Sequence, residues 1–116
     1  MSAVTRTSTP YSYSSAVAAG GLVFLGLHRG FGDDFATQLA GALDGIGDTL
    51  EPYGLHLHDL VKVHVWLRDI ADLPAMEQGF VGRFPPDGYP ARMTATTQFI
   101  DDDCRVMIEG TAYRGG

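Results

Sequence analysis

Arg92 is of a residue type that is well suited to binding a small anion. A planar guanidinium can hold a carboxylate through two parallel, charge-assisted hydrogen bonds. The alternative for such an arginine is a surface or intersubunit salt bridge. The chain has 14 acidic and 8 basic residues, a net charge of −6, and Lys62 is its single lysine. An extended phosphate-binding surface is therefore not expected, and no nucleic-acid partner is predicted.

Three further residues could move protons. His28 ends an apolar stretch, and its imidazole would titrate near neutral pH. Glu77 falls in a predicted helix and Glu109 in a predicted strand. Each of them could equally be a solvated or structural group. We treat His28, Glu77 and Glu109 as candidate catalytic residues.

The histidines and the single cysteine do not predict a metal site. His56 and His58 lie two apart in a predicted turn and His64 lies in the following strand, which is not the ligand set of a zinc site. Cys104 alone cannot form an intramolecular disulfide, which fits a reducing compartment. We expect no metal, no cofactor and a cytoplasmic location.

The apolar residues do not predict a membrane segment. No apolar run reaches the 18 residues needed to cross a bilayer. Arg6 precedes an apolar stretch over 16–27, the order found in signal peptides, but Gly20 and Gly21 interrupt it. Two strands joined by a Gly-Gly turn fit this region better.

The length and the hydrophobic periodicity predict one α+β domain over residues 1–116, with a flexible segment at 1–9. A helix is predicted to begin after Asp33 or Asp34 and to end near Pro52, and its glycines require close packing. A second helix is predicted over 69–84. Strands are predicted at 61–67, 91–99 and 104–113, the last two as an antiparallel hairpin.

The resulting element order is β-β-α-β-α-β-β, with both helices on one face of the sheet. Trp66 and Met107 would then lie on the opposite face, exposed to water. A symmetric homo-oligomer that covers this face is the expected solution.

Several segments of the sequence together resemble the YjgF-type Rid family, the reactive intermediate deaminases. The resemblance spans residues 10 to 113, and its motifs are Pro10-Tyr-Ser-Tyr-Ser-Ser-Ala-Val17, Gly20-Gly-Leu-Val-Phe24, His58-Asp-Leu-Val-Lys-Val-His-Val-Trp-Leu-Arg-Asp69, Tyr89-Pro-Ala-Arg92 and Val106-Met-Ile-Glu-Gly-Thr-Ala112. It implies a chorismate-mutase-like α+β fold, a homotrimer and ligand clefts between subunits. It also implies hydrolysis of an imine or enamine to a keto acid and ammonia.

Two residues match the family's ligand cleft. Arg92 corresponds to the arginine that binds the substrate carboxylate, and Tyr11 to a cleft tyrosine. The ligand that the resemblance implies is a small carboxylate: an imine, an enamine or a 2-oxo acid.

The departures from the family pattern lie around the same cleft. Met107 stands where archetypal members have the water-positioning glutamate, and its thioether cannot act as an acid or base. Gly26-Leu27-His28 replaces Ser-Gly-Gln, Glu77 replaces an asparagine, and Thr94 replaces a cysteine or a small residue. Met107, Thr94 and Gly26 are therefore candidate substrate-binding residues beside Arg92 and Tyr11.

Three functions remain open on the sequence. The first is an imine or enamine deaminase, which Arg92 supports and Met107 weakens. The second is a biosynthetic enzyme of another reaction class on the same scaffold, with His28 or Glu77 moving protons. The third is a non-catalytic protein that binds small carboxylates.

Overall fold

The computed structural model describes residues 3–115, which form one six-stranded sheet and two α-helices. The strands are β1 (Thr5–Ser8), β2 (Ser14–Ala19), β3 (Leu22–His28), β4 (Leu60–Leu67), β5 (Ala91–Thr96) and β6 (Val106–Tyr113). The helices are α1 (Phe35–Leu50) and α2 (Leu73–Val81), and short 3₁₀ turns at Glu51–Tyr53, Leu57–Asp59 and Ile70–Asp72 flank them. The predicted α+β class is confirmed.

The helix α1 begins and packs as its periodicity predicts. Asp34 caps it, because its carboxylate accepts a hydrogen bond of 2.8 Å from the backbone N–H of Thr37. One side of the helix is buried against the sheet, namely Phe35, Gln38, Leu39, Ala42, Leu43, Ile46 and Leu50. Both helices pack over one continuous apolar core.

The glycines of α1 are only partly explained by close packing. A Cβ on Gly41 would lie 2.8 Å from the Cα of Gly30, so the loop before α1 requires glycine there. A Cβ on Gly45 would meet the His28 ring at an ordinary 3.7 Å, and a Cβ on Gly47 would meet nothing within 4 Å. The expected close packing is confirmed at Gly41 and is wrong at Gly47.

The strand order is β1-β2-β3-β6-β4-β5, which corrects the predicted hairpin between the last two strands. The chain leaves β4, crosses through α2 and returns as β5, which pairs with β4 in parallel. The strand β6 then lies between β3 and β4 and is antiparallel to both. Local sequence cannot show this insertion, because it depends on which neighbours offer unpaired backbone groups.

The segment between β5 and β6 is fixed to α1 by a buried glutamine. The side-chain amide of Gln38 donates to the carbonyl of Asp103 at 2.9 Å, and its carbonyl accepts from the N–H of Arg105 at 2.8 Å. Arg29 forms ion pairs with Asp101 and Asp103 at the surface of the same segment. These contacts hold in place the segment that leads into β6, in the interior of the sheet.

The expectation of a flexible segment over residues 1–9 is wrong for Thr5–Ser8. These residues form β1 and pair with β2 in antiparallel register. The Thr7 hydroxyl is also 2.6 Å from the Tyr53 hydroxyl. Backbone hydrogen bonds stabilise this polar edge strand, so no hydrophobic alternation marks it in the sequence. Residues 1 and 2 lie outside the described residues.

The face of the sheet opposite the helices carries large side chains. Trp66 of β4 and Met107 of β6 are direct neighbours there, and both are half-buried. We call this surface the open face. Within residues 3–115, no helix has the length and hydrophobicity to cross a membrane.

Candidate functional site

Arg92 lies on the helix-covered face of β5, at the edge of the sheet. Its backbone is paired with the buried Val63, and its side chain points toward α2. The guanidinium Nε donates to the Thr94 hydroxyl at 3.0 Å, and Nη2 donates to the carboxylate of Glu77. The Thr94 hydroxyl in turn points to the sulfur of Met76, at 4.0 Å. These bonds hold the guanidinium in one orientation.

Arg92 and Glu77 line a pocket of about 310 Å³ with apolar walls, which we call the arginine pocket. Glu77, Phe80 and Val81 come from one side of α2, where residues three and four apart are neighbours. The Arg92 guanidinium carbon is 5.4 Å from the centre of the Phe80 ring, within range of a cation–π contact. The Arg92 side chain keeps 29% of its surface exposed, so it is shielded and still accessible.

A second pocket, of about 730 Å³, lies on the open face, and we call it the open-face pocket. Its large aromatic and apolar side chains are Tyr11, Tyr13, Leu27, Trp66, Phe99, Ile100 and Met107. Tyr11 and Tyr13 are stacked, with ring centres 6.3 Å apart and planes 4° apart. The two predicted ligand residues Tyr11 and Met107 therefore share one pocket.

Glu109 lies on the open face with Met107, as its spacing predicts, but it does not line the pocket. Its carboxylate accepts a hydrogen bond of 3.1 Å from the indole N–H of Trp66. The same oxygen is 3.8 Å from Nδ1 of His64. Glu109 therefore positions Trp66, which lines the open-face pocket, and its catalytic role stays a prediction.

His28 lies on the helix-covered face, away from both pockets. The pairing of β3 with β6 has a bulge between Leu25 and His28, which turns His28 toward α1 and leaves Leu27 on the open face. Its Nδ1 donates to the Gly26 carbonyl at 2.7 Å, and its Nε2 accepts from the Thr49 hydroxyl at 2.8 Å. Within this chain His28 lines neither pocket, and its catalytic role stays a prediction.

Burial lowers the pKa of His28 below its ordinary value near 6.5, although the bond to the Gly26 carbonyl acts in the opposite direction. Well above pH 6.5 the imidazole is neutral in the folded and unfolded chains alike. Below pH 6.5 the unfolded chain binds the proton first, so the free energy of unfolding falls with falling pH. We expect His28→Gln, which cannot titrate, to make this loss of stability shallower.

Urea unfolding of both proteins at several pH values between 5 and 7 measures this effect. His56→Gln is the matched control, because His56 lies at an exposed turn. Equal pH slopes for the native protein and the His28→Gln variant would contradict the assignment of a half-buried imidazole with a lowered pKa.

Gly26 contributes backbone in place of a side chain. Gly26 lies in the bulged stretch of β3, and its carbonyl accepts a hydrogen bond from Nδ1 of His28. A Cβ at this position would lie 3.3 Å from the carbonyl oxygen of Ser14. Gly26 does not line the open-face pocket, although the next residue, Leu27, does, and the substrate-binding role of Gly26 stays a prediction.

Five of the eight predicted site residues therefore form two groups on opposite faces of one sheet, and His28, Glu109 and Gly26 line neither pocket. Arg92, Thr94 and Glu77 meet at the arginine pocket, and Tyr11 and Met107 meet at the open-face pocket. Sequence reasoning missed several pocket walls, namely Tyr13, Leu27, Phe80, Tyr89 and Ile100. The spacing of Phe80 three residues after Glu77 is the one signal that could have placed it beside the carboxylate.

Comparisons with known proteins agree with the fold and the motifs. Residues 4–114 match the family model described as Endoribonuclease L-PSP. A RutC family protein of Pyrococcus horikoshii is 29% identical over 110 residues, covering 88% of this chain and 86% of the relative. The 2-iminobutanoate/2-iminopropanoate deaminase of Escherichia coli is 28% identical over 83 residues, covering 70% and 65%.

A solved structure gives the same result for the fold. A member of the YjgF protein family from Neisseria meningitidis has a TM-score of 0.92 to this chain at 27% identity, with 98% of this chain and 97% of that chain covered. The resemblance found in the motifs is confirmed: this chain belongs to the YjgF/RidA family.

Proposed function

We propose that this protein binds a small carboxylate through Arg92 and hydrolyses an imine or enamine of that acid. The observation that carries the proposal is the guanidinium itself, fixed by Thr94 and Glu77 in a pocket with apolar walls. An arginine held in this way can orient a carboxylate with little loss of side-chain entropy. The deaminase relative supports the same reaction class by its name.

The reaction would consume one water. A protonated 2-imino acid, with C=NH₂⁺ beside its carboxylate, takes up H₂O and gives the 2-oxo acid and NH₄⁺. Arg92 would hold the carboxylate while water attacks the imine carbon. Met107 cannot accept a proton from that water, so we expect slow turnover.

The arginine pocket and the open-face pocket can contribute to one cleft only if they come from two subunits. Arg92 and Met107 lie on opposite faces of the sheet, so a single chain does not bring them to one ligand. We propose a homotrimer in which the β5 edge of one subunit meets the open face of the next. This arrangement would also cover the exposed side chains of Tyr11, Leu27 and Ile100.

Sedimentation equilibrium at micromolar concentration tests the trimer. We expect a species three times the 12.5 kDa chain mass. Apolar surface opposite the core is the physical reason, because its burial between subunits stabilises the assembly. A single species of 12.5 kDa would rule the shared cleft out.

Ammonium release from a freshly generated 2-imino acid tests the reaction. We expect the native protein to exceed the spontaneous rate in proportion to protein concentration. A rate equal to the spontaneous one, with protein that is folded and trimeric, would contradict the deaminase proposal.

A second candidate is a protein of the same fold that binds small carboxylates without hydrolysing imines, or that performs another reaction on them. The observation favouring it is Met107, which leaves the open-face pocket without an acid or base at that position. Carboxylate binding that depends on Arg92, together with no imine hydrolysis, would select this candidate. The net charge of −6 gives no support to RNA as the ligand.

A further inference from the structure

The guanidinium of Arg92 is already paired with a carboxylate of its own chain. Nη2 donates to Glu77, so the positive charge in the arginine pocket is balanced before any ligand binds. The guanidinium has five N–H groups, and one of them donates to Thr94 and one to Glu77. The other three have no hydrogen-bond acceptor among the described residues. The end of the guanidinium fork therefore remains available to a ligand carboxylate.

Charge balance limits which carboxylates this pocket favours. A simple anion would bring a second negative charge beside Glu77, and like charges at close range oppose binding. A ligand with a positively charged nitrogen next to its carboxylate leaves the pocket neutral. In such a ligand the carboxylate can bind Arg92 while the positively charged nitrogen binds Glu77.

We propose that the arginine pocket selects small zwitterions, in which a protonated nitrogen lies on the carbon next to the carboxylate, and that Glu77 is the residue that makes this selection. The inference rests on the proposed role of Arg92 as the carboxylate anchor. It assigns to Glu77 a specificity role in place of the proton transfer considered from the sequence.

The selection distinguishes the substrate of the proposed reaction from its product. A protonated 2-imino acid carries the positive nitrogen, and the 2-oxo acid formed by hydrolysis has lost it. Glu77 therefore favours the iminium form over the enamine, whose nitrogen is uncharged, and favours departure of the oxo acid. The exposed half of the Glu77 side chain, at 51%, is accessible for this contact.

The alternative for Glu77 is a purely structural role, in which it only holds Arg92 in place. In that case, removing its charge would change the affinities of anions and zwitterions alike. The two roles are separated by a pair of ligands of the same shape that differ in charge.

Titration calorimetry at pH 7 with L-2-aminobutanoate and L-2-hydroxybutanoate provides such a pair. Both have a tetrahedral carbon next to the carboxylate, and the amino acid alone carries the positive nitrogen. We expect the native protein to bind the amino acid about three- to fivefold more tightly, which is the change that a partly exposed charge pair can supply. In Glu77→Gln, the hydroxy acid should bind more tightly than in the native protein and the amino acid more weakly.

Two further variants make the outcomes distinguishable. Glu51→Gln removes the same charge at the C-terminal end of α1 and should leave both affinities unchanged. In Arg92→Ala both ligands should lose affinity. If that variant keeps both affinities, or the native protein binds neither ligand at millimolar concentration, the anchor proposal fails and this inference with it. If binding requires Arg92 but the hydroxy acid binds as tightly as the amino acid, the selection by Glu77 alone is wrong.

Discussion

Replacing Arg92 with alanine is expected to lower kcat/KM for imine hydrolysis by about 30- to 1,000-fold, because losing a charged hydrogen-bond partner of the substrate costs about 2–4 kcal/mol. The fold should be unaffected. Arg92 lies on an edge strand, and its loss leaves Glu77 facing solvent. Initial rates of ammonium release at several imine concentrations measure the effect.

Arg92→Lys separates the charge from the shape of the guanidinium. Lysine keeps the positive charge but cannot form two parallel hydrogen bonds, so its rate should fall between those of the native protein and the alanine variant. An alanine variant that is folded and as active as the native protein would remove Arg92 from the site.

Replacing Met107 with glutamate is expected to raise the imine hydrolysis rate by about 10²- to 10⁴-fold, the range that a positioned general base supplies. The new carboxylate would enter the open-face pocket beside Tyr11 and Trp66. Glu109 lies two residues away on the same face, and its negative charge would raise the pKa of the new group. A raised pKa would bring that carboxylate closer to the value suited to a base near neutral pH.

Met107→Gln is the matched control, because it has the same length and polarity change without the ionisable group. We expect its rate to stay near that of the native protein. If glutamine and glutamate raise the rate equally, or the glutamate variant gains nothing while remaining folded and able to bind, water positioning by a strand carboxylate is not what the native protein lacks.

The elements whose formation depends on local pattern were predictable. The four-residue spacing from Phe35 to Leu39 and Leu43 places α1, and Asp34 caps it as predicted. The alternation of Val63, Val65 and Leu67 likewise places β4 with one face in the core. In both cases the side chains that define the element also determine which face is buried.

The order of the strands in the sheet and the direction of side chains near a bulge could not be predicted from local sequence pattern. The sequence gives no sign that β6 lies between β3 and β4, because that choice depends on contacts between distant segments. The bulge after Leu25 reverses the alternation of β3, so Leu27 and His28 exchange the faces that a regular strand would give them. Because of this bulge His28 lies on the helix-covered face and lines neither pocket.

The sequence pointed to some residues of the candidate site but not to their arrangement. The motif that contains Arg92 and the position of Met107 were both recognised in the sequence. Their separation onto opposite faces follows from the register of β4 with β5 and β6, in which Val63 is the partner of Arg92 and Trp66 the partner of Met107. The pairing of Glu77 with Arg92 depends in addition on how α2 packs over β5.

A crystal structure of the protein soaked with 2-oxobutanoate tests most directly whether Arg92 is the carboxylate anchor. We predict that the ligand carboxylate lies within about 3 Å of two nitrogens of the Arg92 guanidinium. It should accept hydrogen bonds from the N–H groups that do not donate to Thr94 or Glu77. A ligand carboxylate bound elsewhere, with Arg92 still bonded only to Thr94 and Glu77, would contradict the account.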